Sequence, residues 1–164
     1  MKLILKWGWL GAIVFGVTLV SAGLYMVREA RLAHDDVRDA LASERIVTAE
    51  DAGIPLASVT GPAEARAQAD IIQAHVMKIT EGKTFAELAR DDPRRATYLQ
   101  AITLRTALME SYLAFKVADL VMGVGAIVAL LGLSHIALGA YLGAAALRAA
   151  EQLDEANSRI LAKA

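Results

Sequence analysis

The feature that most limits how this chain can fold is a pair of long, charge-free apolar stretches set far apart. The first runs from Trp7 to Val27, between Lys6 and Arg28. The second runs from Leu120 to Leu147, between Asp119 and Arg148. As helices they would measure roughly 32 Å and roughly 42 Å at the α-helical rise. A bilayer hydrocarbon core is about 30 Å thick, so the first matches it and the second must tilt or protrude. Hiding both stretches in water would need a large polar shell, and the charged remainder is too small to supply one. We therefore expect an all-α chain: two transmembrane helices with a small helical extramembrane bundle inserted between them. The expected segments are an N-terminal transmembrane helix over 1–27, an extramembrane helical domain over 28–118, a C-terminal transmembrane helix over 119–147 and a cytoplasmic helical tail over 148–164.

A cleaved signal peptide is the rival reading of the first stretch, with Val20-Ser21-Ala22 as a passable cleavage site. The apolar run continues past that site to Val27, which favours a retained span. Trp7, Trp9 and Tyr25 sit near its ends, where amphipathic rings favour the headgroup level. Sidedness rests on basic residues near the spans, and these tie. Lys2, Lys6, Arg148, Arg159 and Lys163 flank one side; Arg28, Arg31, Arg38, Arg105 and Lys116 flank the other. The short, lysine-bearing N-terminus resembles an uncleaved signal anchor. The expectation is thus the plasma (cytoplasmic) membrane, with both termini cytoplasmic and the central domain extracytoplasmic.

Composition excludes several classes. The net charge is -1, so no basic excess exists to bind nucleic acid. There is no cysteine, which removes disulfides, zinc–thiolate sites, iron–sulfur clusters and cysteine nucleophiles.

Between the spans, Val27, Ala30, Val37, Ala40 and Leu41 recur at helical spacing and extend the first helix to about Glu44. Gly53, Pro55 and Thr60-Gly61-Pro62 then break the pattern, around a β-prone patch at Ile46-Val47-Thr48. Pro62 fits the first position of a helix ending at Gly82, with Ile72, His75, Val76 and Ile79 as its apolar stripe. Thr84-Phe85-Ala86-Glu87 reads as the capping box of a further short helix. Asp92-Pro93 opens a last helix, which no later proline interrupts. Tyr98, Ile102, Met109 and Leu113 line one side of it, with Arg105 in the same row.

The second span carries a seam of small residues: Gly125, Ala129, Gly132, Gly139, Gly143 and Ala146, broken only by Ile136. Lipid gives no hydrophobic drive between helices, so association depends on close backbone approach, which small residues permit. The seam would dock either the first span, with Gly8, Gly11, Gly16 and Gly23, or a helix of another membrane subunit or a second copy. His135 borders the seam. It is the one histidine deep in a span, and buried ionisable groups in membranes are functional candidates. Its small neighbours Gly132 and Ser134 would leave room for a haem or chlorophyll-type tetrapyrrole. The plainer reading is a neutral imidazole hydrogen-bonded to another helix. His75, on an apolar stripe, reads as a packed core residue. His34 neighbours Asp35 and Asp36, which point elsewhere on a helix. The run Asp91-Asp92-Pro93-Arg94-Arg95 reads as capping plus a solvated face. No phosphate loop, dinucleotide motif or nucleophile elbow occurs, and no set of side chains has catalytic or metal-ligand spacing.

Three stretches, Ala67-Gln68-Ala69-Asp70 through His75, Gly82-Lys83-Thr84-Phe85-Ala86-Glu87-Leu88, and Asp92-Pro93-Arg94 through Leu108, resemble a family of small actinobacterial membrane proteins. The likeness extends to Val121-Met122-Gly123 and covers about two thirds of the chain as a motif match. It implies the same layout of two spans around a polar domain; the longer C-terminal tail departs from it. Members often carry the label "aromatic ring-opening dioxygenase". Such enzymes need two histidines and a carboxylate around iron, and this sequence has no such set. The expected role is a non-enzymatic accessory subunit of a larger membrane complex, such as an energy-transducing one, docking through the seam. The alternatives are an extracytoplasmic sensor or ligand-binding module with a pocket in its bundle, and a tetrapyrrole-binding protein using His135.

Overall fold

The computed structural model describes residues 2–162, with side chains from residue 7 onward except at Asn157. Met1, Lys163 and Ala164, which end the expected first and last segments, lie outside the described residues, as do the side chains of Lys2 and Lys6. The chain is all-α, and the described residues form three helices: α1 (Lys2–Ser43), α2 (Pro62–Ile79) and α3 (Arg94–Leu161). No strand occurs among the described residues. The β-prone patch forms a single antiparallel bridge, Val47 to Ser58, flanked by hydrogen bonds from Thr48 N–H to Ala57 O and from Val59 N–H to Ile46 O, both 2.9 Å.

The helices follow from where helix breakers fall. Neither α1 nor α3 contains a proline after its first turn, so each runs unbroken for 42 and 68 residues. α2 begins with Pro62 after an extended Gly61. It ends at Ile79, three residues before the expected Gly82. The reason is local: Glu81 and Gly82 both have positive φ (55° and 82°), and the Gly82 N–H reaches back to Met77 O at 2.7 Å. Such a left-handed exit is easiest for glycine and terminates the helix.

The expected short helix from Thr84 is one turn only. Its capping contact does form, since the Glu87 carboxylate accepts from Thr84 N–H at 2.7 Å and from the Thr84 hydroxyl at 2.8 Å. However, the Arg95 guanidinium donates to the carbonyls of Phe85 and Leu88 at 3.0 and 2.8 Å. A continuing helix would need those carbonyls. Arg95 also lies over the Phe85 ring, 3.9 Å from its centroid. It is therefore half-buried and structural, which corrects its reading as part of a solvated face.

The chain forms two compact units. One comprises Met1–Arg28 and Met122–Ala164, the other Glu29–Val121. Each unit contains part of α1 and part of α3.

In the first unit the apolar stretches of α1 and α3 are long and apolar enough to cross a membrane. Only 11% of each most apolar window is buried. A core helix in a water-soluble domain would instead be mostly covered. The contact between the two stretches is made by backbone. A Cβ placed on Gly132 would lie 2.6 Å from both Gly16 O and Val20 N, and one on Gly23 would lie 2.5 Å from Gly125 O.

The second unit is a helical bundle with two apolar clusters. Leu41, Val59, Ala65, Ala69, Leu108 and Phe115 form the larger. Val76, Leu88 and Tyr98 form the smaller. The buried row of α2 is Ala65, Ala69 and Val76, with Ile72 half-buried. Successive helical residues are about 100° apart, so His75 falls off this row, and it is exposed. Ile79 is exposed as well. Both were expected on the apolar stripe. On α3 the buried positions are Tyr98, Leu108, Phe115 and Ala118, while Leu113 is 61% exposed.

Candidate functional site

The small-residue seam lies against the chain's own first span. Gly125 faces Gly23 and Met26; Ala129 faces Gly23; Gly132 faces Gly16 and Val20. Gly139 faces Trp9 and Ile13, and Gly143 lies under the Trp9 indole. Ala146 is exposed and has left the contact. Gly8 and Gly11 on the first span also take no part, with no atoms within 4 Å of a Cβ at either.

His135 is half-buried beside this contact. Its Nδ1 lies 2.9 Å from Leu131 O, one turn back in the same helix. A carbonyl only accepts, so Nδ1 is the donor in this contact. The Phe15 ring meets the imidazole edge-on at 5.3 Å and fills one flank of it. The hydrogen bond is thus to its own helix, whereas the sequence suggested a partner helix. Among the described residues no group of three or more His, Asp or Glu side chains could hold a metal ion.

The other histidines belong to the bundle. His34 meets the Phe115 ring edge-on at 4.7 Å. His75 is not the packed core residue expected: its Nε2 donates to Asp51 Oδ2 at 2.8 Å. That hydrogen bond lowers the Asp51 pKa below its ordinary value. With the Gln68 side chain, which accepts from Ala49 N–H at 2.9 Å, this contact fastens the loop between α1 and α2 onto α2. At the start of α3, Asp92 accepts from the Arg94 guanidinium at 2.8 Å and from the Arg94 backbone N–H at 2.9 Å. These two bonds hold the Asp92 pKa down to about 2. The Arg105 Nε is buried and without a hydrogen-bond partner among the described residues.

The feature with binding potential is a groove in the bundle. A cavity of about 710 Å³ is walled by Val37, Ala40, Leu41 and Glu44 of α1, Gln68 and Ile72 of α2, and Leu104, Ala107, Leu108 and Ser111 of α3. A second cavity of about 550 Å³ lies between α1 and α3, lined by Ala30, Ala33, Leu113, Val117 and Val121, with Glu29 at its edge. Glu110 and Ala114 line both, so the two form one continuous trough. Small-molecule sites have volumes of about 300–1,000 Å³ and mainly apolar walls with a few polar groups. This trough matches that description.

The sequence places Val37, Ala40, Leu41 and Ile72 on apolar helix faces and allows a pocket in the bundle as an alternative, but it does not show which residues enclose the trough. The available signal was alanine. Ala33 and Ala40 on α1 stand across from Ala107 and Ala114 on α3, and short side chains on both walls leave the space unfilled. Comparison with known proteins adds no relative: no protein-family description, curated protein or solved structure matches this chain.

Proposed function

We propose that this chain is a non-enzymatic, membrane-anchored binding module whose extramembrane bundle holds an apolar small molecule in the trough between α1 and α3. The observation that carries this reading is the 710 Å³ apolar cavity walled by all three helices. A bundle of this size could close its core completely, yet this one stays open where its alanines face each other. Each of the two long helices contributes both an apolar stretch and a wall of the trough, so the binding bundle and its membrane anchor are parts of the same two helices. We place both termini in the cytoplasm and the bundle outside, on the strength of the short lysine-bearing N-terminus. Glycine-to-backbone contact between the two apolar stretches favours a first span that is retained. An accessory-subunit role, the reading expected first, would have to use surfaces other than the seam, because the first span already covers it.

Organic extraction of the purified full-length protein, followed by mass spectrometry, tests the binding reading. An apolar compound should be enriched from the wild type and lost from Ala107→Trp, which places an indole in the larger cavity and obstructs it. Identical extracts from two equally helical proteins would overturn it. The native chain lacks cysteine, so single cysteines at Glu50 and Ala150 can report sidedness with an impermeant reagent. Labelling of the Ala150 position alone in intact cells would reverse the proposed orientation.

A further inference from the structure

Resting on the binding reading above, we infer that the occupant of the trough is a long-chain amphiphile with a cationic ammonium end, drawn from the bilayer. Three observations point there. The first is charge. Glu44 and Glu110 stand on the α1 and α3 walls of the larger cavity and Glu29 at the edge of the smaller, and no lysine or arginine lines either cavity among the described residues. The Glu29–Val121 unit as a whole carries 15 acidic and 11 basic side chains, a net charge of -4. A fatty acid or other anionic amphiphile would bring its head toward like charge. An ammonium would instead meet opposite charge: Glu44 and Glu110 are exposed and Glu29 is half-buried, so the carboxylates can reach a head group held at the mouth of the trough while its chain lies along the apolar floor.

The second observation is shape. The α3 wall extends from Leu104 to Val121, about 26 Å at the α-helical rise. It is apolar along that length apart from Glu110 and Ser111. A trough that is long and apolar, with its acids spaced along it, suits an extended alkyl chain better than a compact polar molecule.

The third is place in the chain. Glu29 and Val121, which line the smaller cavity, are the terminal residues of the bundle unit. Beyond them α1 and α3 continue as the apolar stretches long enough to span a membrane. In sequence, the residues that line the smaller cavity thus adjoin the stretches suited to lipid, which points to the bilayer as the source of the occupant.

Native mass spectrometry of the full-length protein, released from a neutral detergent, separates this proposal from the reading beneath it. The probes are hexadecyltrimethylammonium and hexadecanoate, which share chain length and differ in the sign of the head. The expected result is a Kd at least tenfold lower for the ammonium probe. Glu44→Gln with Glu110→Gln should abolish that preference while leaving both probes able to bind. Ala107→Trp should remove both adducts. Equal binding of the two probes, or preference for the carboxylate, with Ala107→Trp still blocking, overturns the cationic head and leaves the trough as a binding site. Adducts unaffected by Ala107→Trp overturn the binding reading as well. Ala114→Leu, which narrows the trough at the junction of its two cavities, provides a second blocking variant should the tryptophan variant lose helicity.

Discussion

In the span pair, Gly132 lies so close to the backbone of Gly16 that an added Cβ would be 2.6 Å from its carbonyl. In the bundle, Ala40 and Ala107 stand on opposite walls of a cavity of about 710 Å³. Both regions place small residues where two helices face each other, and the results are opposite. With the two apolar helices in a bilayer, as proposed above, no hydrophobic force would draw their side chains together, and small residues serve to bring backbones into contact. In a water-facing bundle apolar burial is the driving force, and small residues that leave a gap forgo part of it. A gap kept in the bundle, where it weakens packing, is the stronger indication of a site. The close seam of the spans indicates assembly of the chain itself.

The largest expected effect tests the bundle side of this contrast. Phe115 is fully buried, touches His34 and anchors the larger cluster. Phe115→Ala should lower unfolding stability by about 3–5 kcal/mol, read by thermal unfolding of the full-length protein in detergent by circular dichroism. A loss below about 1 kcal/mol, outside the range of large-to-small core changes, would show that Phe115 does not anchor the bundle.

Next in size, and opposite in sign of volume, is Gly132→Leu. Its side chain would meet Gly16 O, Val20 N and Val20 Cγ2 within 2.8 Å. Two of these atoms are backbone and cannot turn aside. Overpacking of this kind costs about 1–3 kcal/mol, and the upper end is expected. Ala107→Leu adds comparable bulk, one carbon fewer, beside the open trough and should change stability by no more than about 0.5 kcal/mol, as at sites without packing conflict. Equal losses from the two would erase the distinction between closed seam and open groove.

How much of this could be read beforehand differs by region, for a physical reason. The two helices long and apolar enough to cross a membrane were legible because a charge-free apolar run of that length has few alternatives to a long helix. The extent of α1 and α3 was legible from the absence of proline. The bundle was less so. His75 was placed in the core because one stripe of α2 was chosen by hydrophobicity, while packing selected the row of Ala65, Ala69 and Val76, whose small side chains allow close approach. The turn at Thr84 looked like a helix start because its capping pair is local; the Arg95 contacts that stop it come from ten and seven residues away. The trough depends on which alanines face each other across two helices, and that requires the register between them.

A smaller effect should appear at the start of α3, outside both closed seam and trough. The Asp92 pKa is depressed to about 2 by its bonds to Arg94, against an ordinary value of about 3.9. A carboxylate depressed in the folded state contributes stability above the ordinary value, and that contribution is lost as pH falls through about 2. The wild type should therefore lose stability between about pH 4 and pH 2, and Asp92→Asn should flatten that part of the profile. Unfolding midpoints from pH 1.5 to 6 measure it. An unchanged acid limb in the variant would mean that the Asp92–Arg94 contact does not hold in solution.

The smallest effect is the sharpest test of the seam, because it compares two glycines two residues apart. Gly123 and Gly125 share a helix and a chemical environment, and differ in the face they present. An added Cβ at Gly123 meets nothing within 4 Å, whereas at Gly125 it would lie 2.8 Å from Gly23 O and 2.9 Å from Met26 Cβ. Replacing helical glycine by alanine lowers the backbone entropy lost on folding and favours the helix by up to about 1 kcal/mol. Gly123→Ala should therefore be neutral or slightly stabilising. Gly125→Ala gains the same propensity and must also push the first span outward, so it should be the less stable of the two. Detergent unfolding curves of the pair remove every term they share. If they coincide, the first span does not sit against the face bearing Gly125, and the seam becomes available to another helix.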